Sequence, residues 1–287
     1  MSDTGMAPVP ATRARITVGG QELHYLDWGN AGAPALVCVH GYTSSADAFN
    51  GFARRFRDRF RILALDVRGH GESAWSADGA YGYRDQAADL AGFVDRLGLG
   101  RFILMSTSMG GLISMTYAMT HGARLRALVL NDIGPDMEVG SARITQMVGG
   151  RPDDFATLAA AMDYRRTASP IVAARGDADQ RELALGVLKQ LADGQWGWKM
   201  DPAYIRQRVE RGPPARPDFW PVLGQLACPA LVVWGTDSDV LSEAQAGRMV
   251  ATLPKGELLA VPGVGHAPSL VEAASLAGLE RFLRGIA

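Results

Sequence analysis

The stretch Arg101-Phe102-Ile103-Leu104-Met105-Ser106-Thr107-Ser108-Met109-Gly110-Gly111 decides the fold. Arg101–Met105 (RFILM) ends in a short continuous apolar run, the mark of a strand buried on both faces. Met109–His121 has the pattern of a helix. Strand and helix therefore meet at Ser106-Thr107-Ser108, and the turn between them is tight and strained. Such a turn lifts the Ser108 hydroxyl above the end of the sheet, where a nucleophile is needed. Small residues must stand two positions to either side of it. Gly110 meets that need. Ser106 is small enough, but it adds a hydroxyl that either tunes Ser108 or only packs.

Working outward, strands and helices alternate. Arg15–Val18 and Glu22–Trp28 read as a hairpin turning at Gly19-Gly20. Ala35–Val39 (ALVCV), Arg61–Leu65 and Leu125–Leu130 (LRALVL) are further buried strands. Ser45–Phe56, with Phe49, Phe52 and Phe56 on one face, and Tyr83–Leu97, ended by Gly98, are helices. After Leu130 the rhythm breaks. From Met137 to Trp220 no buried-strand signal occurs, and the pattern is helical with breaks at Pro152, Pro170, Pro202 and Gly212-Pro213-Pro214. It resumes with a strand at Pro229–Trp234, a helix at Ser242–Leu253, a strand at Glu257–Val261 and a closing helix at Leu270–Leu283. The expectation is an α/β fold: a mainly parallel eight-stranded sheet flanked by helices, with a helical cap inserted after the sixth strand. The core is read as residues 1–136 and 221–287, with 1–13 a flexible tail, and the cap as 137–220. Ligands of such sheets bind at the carboxyl ends of the strands, so a cap placed there roofs the site.

Composition narrows the function classes. With 29 basic and 30 acidic residues the net charge is −1, which gives no footprint for nucleic acid or an anionic membrane. The Arg54, Arg55, Arg57, Arg59 cluster reads as a solvated helix face. The two cysteines, Cys38 and Cys228, lie in or beside apolar strands and read as reduced core thiols. No Cys/His cluster has metal-ligand spacing, and the glycine pairs form neither a dinucleotide fingerprint nor a P-loop, so neither metal nor organic cofactor is expected. Met1–Ala14 holds no apolar run of signal-peptide length, and no stretch approaches a membrane span. A cytoplasmic protein acting on a small molecule follows as the default; oligomeric state is open.

Three further motifs sit beside the strands. Val39-His40-Gly41-Tyr42 follows the third strand. Asp66-Val67-Arg68-Gly69-His70-Gly71-Glu72-Ser73 follows the fourth. Pro262-Gly263-Val264-Gly265-His266-Ala267-Pro268 separates the last strand from the last helix. Together with the Ser108 turn, in this order and at these elements, they closely resemble the α/β-hydrolase superfamily from about Ile16 onward. Ser106 departs from that family's G-x-S-x-G pattern. The resemblance implies a nucleophile at Ser108 and a general base at His266, in the terminal G-x-G-H-x-P loop. It also implies an oxyanion hole from the backbone N–H groups of Tyr42 and Met109. His40 and His70 read as loop anchors.

The acid is less clear. The common family pattern after the seventh strand is W-G-x-x-D. Here Trp234-Gly235-Thr236-Asp237-Ser238-Asp239 puts a serine at the acid position, with aspartates on both sides. Some branches carry the acid after the sixth strand instead, where this chain has Asn131-Asp132-Ile133-Gly134-Pro135. Asp132 is the preferred acid, with Asp239 and then Asp237 as alternatives. In the cap, Trp196 and Trp198, with Met200, Tyr164 and Phe155, either line an acyl pocket or form the cap's own core. Arg165 and Arg166 either receive a substrate carboxylate or sit on an exposed face. The resemblance implies a serine hydrolase of carboxylic esters or related acyl bonds. The alternative is a carbon–carbon bond hydrolase or lactonase on the same scaffold, and more remotely a ligand receptor. Ser108 at the turn disfavours a haloalkane dehalogenase, which uses an aspartate nucleophile.

Overall fold

In the computed structural model, which describes residues 10–136 and 140–286, the strand rhythm becomes one eight-stranded sheet. In chain order its members are β1 (Thr12–Val18), β2 (Gln21–Asp27), β3 (Ala35–Val39), β4 (Arg61–Leu65), β5 (Phe102–Thr107) and β6 (Leu125–Asn131), followed by β10 (Ala230–Gly235) and β11 (Gly256–Val261). Their spatial order is β1-β2-β4-β3-β5-β6-β10-β11. The β1–β2 and β2–β4 pairs are antiparallel; the remaining pairs are parallel.

The parallel strands are buried on both faces, so alternate residues feed two cores. Val37, Leu63, Leu104, Leu128 and Val232 face one side, toward α2 (Tyr83–Arg96) and α3 (Met109–His121). Leu36, Ile62, Ile103, Ala127 and Leu231 face the other, toward α1 (Asn50–Phe56) and α11 (Ala273–Arg284). Both cysteines are buried and free, Cys38 in the second core and Cys228 in the first. Between β10 and β11 runs α10 (Glu243–Thr252), where the Ser242 side chain caps the helix by accepting from the Gln245 amide.

Three expectations are corrected. Thr12 and Arg13, read as tail, belong to β1 and pair with Asp27 and Leu26; Met1–Val9 of that tail lie outside the described residues. The expected helix at Ser45–Phe56 opens with a short 3-10 turn, Ala46–Phe49, before α1. The segment read as wholly helical carries α4 (Gly140–Gly149), α5 (Leu158–Ala168), α6 (Pro170–Ala173), α7 (Asp177–Val187) and α8 (Pro202–Arg211), but also a small antiparallel sheet. That sheet is β7 (Asp154–Phe155), β9 (Trp196–Trp198) and β8 (Leu188–Gln190), in spatial order β7-β9-β8. Strands of two or three residues are too short to carry a two-residue periodicity. At the far end of the segment α9 (Trp220–Gln225) crosses the expected boundary, while 137–139 at its near end lie outside the described residues.

The inserted segment docks on the Ser108 end of the sheet through α8. Tyr204 is buried there, stacked on Tyr81 with ring centroids 4.4 Å apart and edge-on to Tyr42 at 5.1 Å. Its hydroxyl accepts from Gln86 Nε2 at 3.0 Å and donates to Met109 Sδ at 3.3 Å. At the start of the helix, the Asp201 amide donates to the Gly69 carbonyl at 2.9 Å, and the Tyr81 hydroxyl donates to the Asp201 carboxylate. Among the described residues no helix is long and apolar enough to cross a membrane.

Candidate active site

Ser108 occupies the turn between β5 and α3 with φ 52° and ψ −120°, a conformation that costs a non-glycine residue about 1–3 kcal/mol. The surroundings hold it there. Its amide donates to the Asn131 carbonyl at 2.9 Å, and its carbonyl accepts from the Gly111 amide at 2.8 Å. Gly110 lets the turn close: a Cβ at that position would stand 2.2 Å from the Val39 carbonyl oxygen. Ser106 fills the other small position, fully buried, and its hydroxyl donates to the Val129 carbonyl at 3.2 Å. That bond runs to the neighbouring strand, which accounts for the hydroxyl as a packing group.

His266 sits between β11 and α11. Its Nε2 lies 2.9 Å from Ser108 Oγ, and its Nδ1 lies 2.7 Å from Asp132 Oδ2. A carboxylate only accepts, so Nδ1 carries the hydrogen and Nε2 offers its lone pair to the serine hydroxyl. Asp132, fully buried just past β6, has φ 58° and is held by its own amide, which donates to the Val233 carbonyl at 2.8 Å. Besides His266, its carboxylate accepts from the Gly235 amide at 3.3 Å and from Ser238 Oγ at 2.7 Å. The serine after the seventh core strand thus bonds to the aspartate after the sixth. Asn131 ties the three loops together, donating from Nδ2 to Thr107 Oγ1 at 3.1 Å and to the Pro268 carbonyl at 2.8 Å.

The Val39-His40-Gly41-Tyr42 loop lies against the serine. A Cβ on Gly41 would stand 3.3 Å from Ser108 Cβ. Buried His40 fixes this loop: its Nε2 accepts from the Val67 amide at 3.0 Å, leaving Nδ1–H to donate to the Gly41 carbonyl at 2.8 Å. His70 Nε2 lies 2.5 Å from the Tyr42 carbonyl. Burial, and then the nearby His40, push the His70 pKa down to about 3, so a neutral ring donates that bond. The first two amides of α3, at Met109 and Gly110, have no acceptor within the helix, which makes this end of α3 attractive to negative charge.

Residues 34–273 match the model of the alpha/beta hydrolase fold. The chain belongs to the alpha/beta hydrolase fold family, and it is a hydrolase. A 3-hydroxybutyrate-oligomer hydrolase of Cupriavidus necator is 32% identical over 277 residues, covering 93% of this chain and 94% of the relative. A 2-(acetamidomethylene)succinate hydrolase of Mesorhizobium japonicum is 29% identical over 253 residues, covering 88% and 87%. The crystal structure of an alpha/beta hydrolase from Novosphingobium aromaticivorans superposes with a TM-score of 0.84 at 33% identity, covering 98% of this chain and 99% of that one.

Within this hydrolase the alternative acids stand apart from the histidine's hydrogen bonds. Asp239 is exposed and ion-paired to Arg143, whose Nη2 donates at 2.8 Å; that bond holds the Asp239 pKa below the usual carboxylate range. Asp237 is exposed and accepts from Thr236 Oγ1 at 3.1 Å. Trp196 and Trp198 do not line the pocket at Ser108. They pack in the inserted segment's own apolar cluster with Phe155 and Tyr164, the Phe155 and Trp198 rings 5.7 Å apart, and Trp198 Nε1 donates to the Pro152 carbonyl at 2.8 Å. Met200 is buried in the main core. Arg166 pairs with Asp163, while Arg165 is half-buried, its pKa lowered to about 10 by burial and then by nearby Arg175.

The pocket that opens on Ser108 is lined instead by residues that sequence reasoning passed over: Tyr83, Leu112, Ile133, Ile144, Arg208 and Arg216, beside Tyr42 and Met109. The available signal for Arg208 was its i, i+4 spacing from Tyr204 on a helix that breaks at the following Gly-Pro-Pro run.

Proposed function

We propose that this hydrolase is a serine carboxylic-ester hydrolase working through an acyl-enzyme. The observation that carries the proposal is the Ser108–His266–Asp132 array, with bonds of 2.9 and 2.7 Å at a strained turn. His266 takes the Ser108 proton as Oγ attacks the ester carbonyl, then returns it to the leaving alcohol. In the second half it draws a proton from water, which releases the acid and restores Ser108. Asp132 fixes the ring's tautomer and stabilises its charged form. The Tyr42 and Met109 N–H groups receive the oxyanion; the close approach of Gly41 to Ser108 and the start of α3 support that assignment. The eight-stranded sheet with its flanking helices forms the catalytic core, and the inserted segment that carries α4 to α8 acts as the cap that shapes the pocket. No cofactor enters this chemistry.

The test is initial-rate hydrolysis of 4-nitrophenyl esters of increasing acyl length by the wild type and by Ser108→Ala. Wild-type turnover that falls by about a million-fold in the variant is expected. A Ser108→Ala protein that keeps most of the activity overturns the mechanism. Wild-type inactivity on every ester moves the reading to lactones and vinylogous diketones.

A further inference from the structure

We infer that the pocket at Ser108 recognises a carboxylate of the substrate through Arg216, with Arg208 beside it. The ester cleaved then carries a free acid on its acyl or its alcohol part. This inference rests on the serine-esterase reading.

Most of the pocket wall is apolar: Leu112 and Ile133 from the core, Ile144 from α4, and Val240. Arg208 and Arg216 also line it, together with Asp136. A cation among apolar walls is unfavourable unless neighbours or a ligand offset its charge. Arg208 has such neighbours. It is buried, its Nε donates to Thr145 Oγ1 at 3.0 Å, and its guanidinium lies 5.0 Å from the Tyr42 ring centre. Arg216 differs: it makes no hydrogen bond and no ion pair with any described residue. Asp136 acts on it only at longer range, and that carboxylate already accepts from Trp220 Nε1 at 3.0 Å and pairs with Arg248 at 3.5 Å. The pocket's phenols give no compensating charge, because burial raises the pKa of both Tyr42 and Tyr83. The lining therefore holds two arginines against one carboxylate, that of Asp136.

The backbone holds Arg216 in place. It follows Gly212-Pro213-Pro214-Ala215 and precedes Pro217, and a residue before proline is kept extended. A planar guanidinium pairs with a carboxylate through two parallel N–H···O bonds, and the apolar walls suit a short carbon chain between that group and the scissile bond.

The test compares charged with neutral esters in two matched pairs. On the acyl side these are 4-nitrophenyl hemiadipate and 4-nitrophenyl heptanoate; on the alcohol side, 4-carboxyphenyl butyrate and 4-acetylphenyl butyrate. The readout is the charged-to-neutral ratio of kcat/KM, in which general damage to a variant cancels. In at least one pair the wild type should favour the charged ester tenfold or more. Arg216→Gln should reduce that ratio about tenfold, mainly through KM, and Arg216→Lys should retain part of it. Turnover of neutral esters with no charged preference in either pair overturns the inference, as does a ratio untouched by Arg216→Gln. If no ester is turned over, the esterase reading fails separately. Calorimetric titration of monomethyl adipate into Ser108→Ala and into Ser108→Ala/Arg216→Gln then decides the subsite. Binding by the first and not the second supports it; equal binding, or none, overturns it.

Discussion

Replacing Asp132 by asparagine separates the two aspartates that compete for the acid's role. The Asp132 carboxylate accepts from three donors: the Gly235 amide on Oδ1, and Ser238 Oγ with His266 Nδ1 on Oδ2. Asparagine offers one oxygen and one NH2. If the NH2 takes the Oδ2 place, it meets the Nδ1–H of His266 donor to donor. The ring then shifts its hydrogen to Nε2, which faces Ser108 and can no longer accept the serine proton. If the NH2 takes the Oδ1 place, it meets the buried Gly235 amide, and leaving that donor unpaired costs about 1–3 kcal/mol. Both orientations remove the charge that stabilises the imidazolium. A fall in kcat of about ten-thousand-fold is expected, or about 5 kcal/mol of barrier. Asp239→Asn breaks an exposed pair with Arg143 and should leave kcat within about threefold, since such pairs are worth roughly 0–1 kcal/mol. The assay is stopped-flow hydrolysis of the best 4-nitrophenyl ester, with circular dichroism to confirm folding. An Asp132→Asn enzyme within tenfold of wild type, beside a crippled Asp239→Asn, would make Asp239 the acid instead. Because Ser238 Oγ lies 2.7 Å from Asp132 Oδ2, the double variant Asp132→Asn/Ser238→Asp places a carboxylate where the family often has one. It should recover at least tenfold of the loss.

Other expectations follow from the same geometry. Gly110→Ala places a Cβ 2.2 Å from the Val39 carbonyl oxygen, where backbone must move; a loss of about 2–3 kcal/mol and a Tm lower by roughly 5 °C or more should appear in a thermal melt. Ser106→Gly removes a buried hydroxyl bonded to Val129, so it should lower stability by about 1 kcal/mol in urea unfolding while kcat stays within a few-fold. His70 has a folded pKa of about 3, below the usual histidine value. Between that value and roughly 6.5 the unfolded chain binds a proton that the folded chain does not, so stability falls as pH drops through this window, by up to about 1.4 kcal/mol per pH unit. His70→Gln should flatten urea-unfolding stability between pH 7 and 4 relative to wild type, and an unchanged slope would count against a neutral buried ring.

The parts of the fold that were legible in the sequence are those with strong local signals. The runs Ala35–Val39, Ile62–Leu65, Phe102–Met105 and Ala127–Leu130 are apolar on every residue because both faces of the sheet are covered, and this made the strands readable. Gly110 was readable because the turn at Ser108 leaves no room for a side chain. The pairing of Asp132 with His266 was less so: it joins residues 134 positions apart, and the presence of Ser238 between two aspartates left the choice open. The inserted segment was the least legible. Its strands are too short for a period, and its aromatic residues look alike whether they line a pocket or fill a cluster. Trp198 packs against Phe155, whereas Tyr204, one of several tyrosines in the sequence, forms the buried contact with Met109. Arg216 had no periodic signal at all, since its placement comes from prolines and from the core surface opposite.

The most direct measurement is covalent capture of the nucleophile. Wild-type protein, Ser108→Ala and His266→Ala are each treated with a fluorophosphonate, and intact mass and peptide mapping follow. One adduct per wild-type chain is expected, on the peptide containing Ser108, with none on Ser108→Ala and slow labelling of His266→Ala. Stoichiometric labelling of another residue, or an ester-cleaving wild type that resists the reagent, would contradict it.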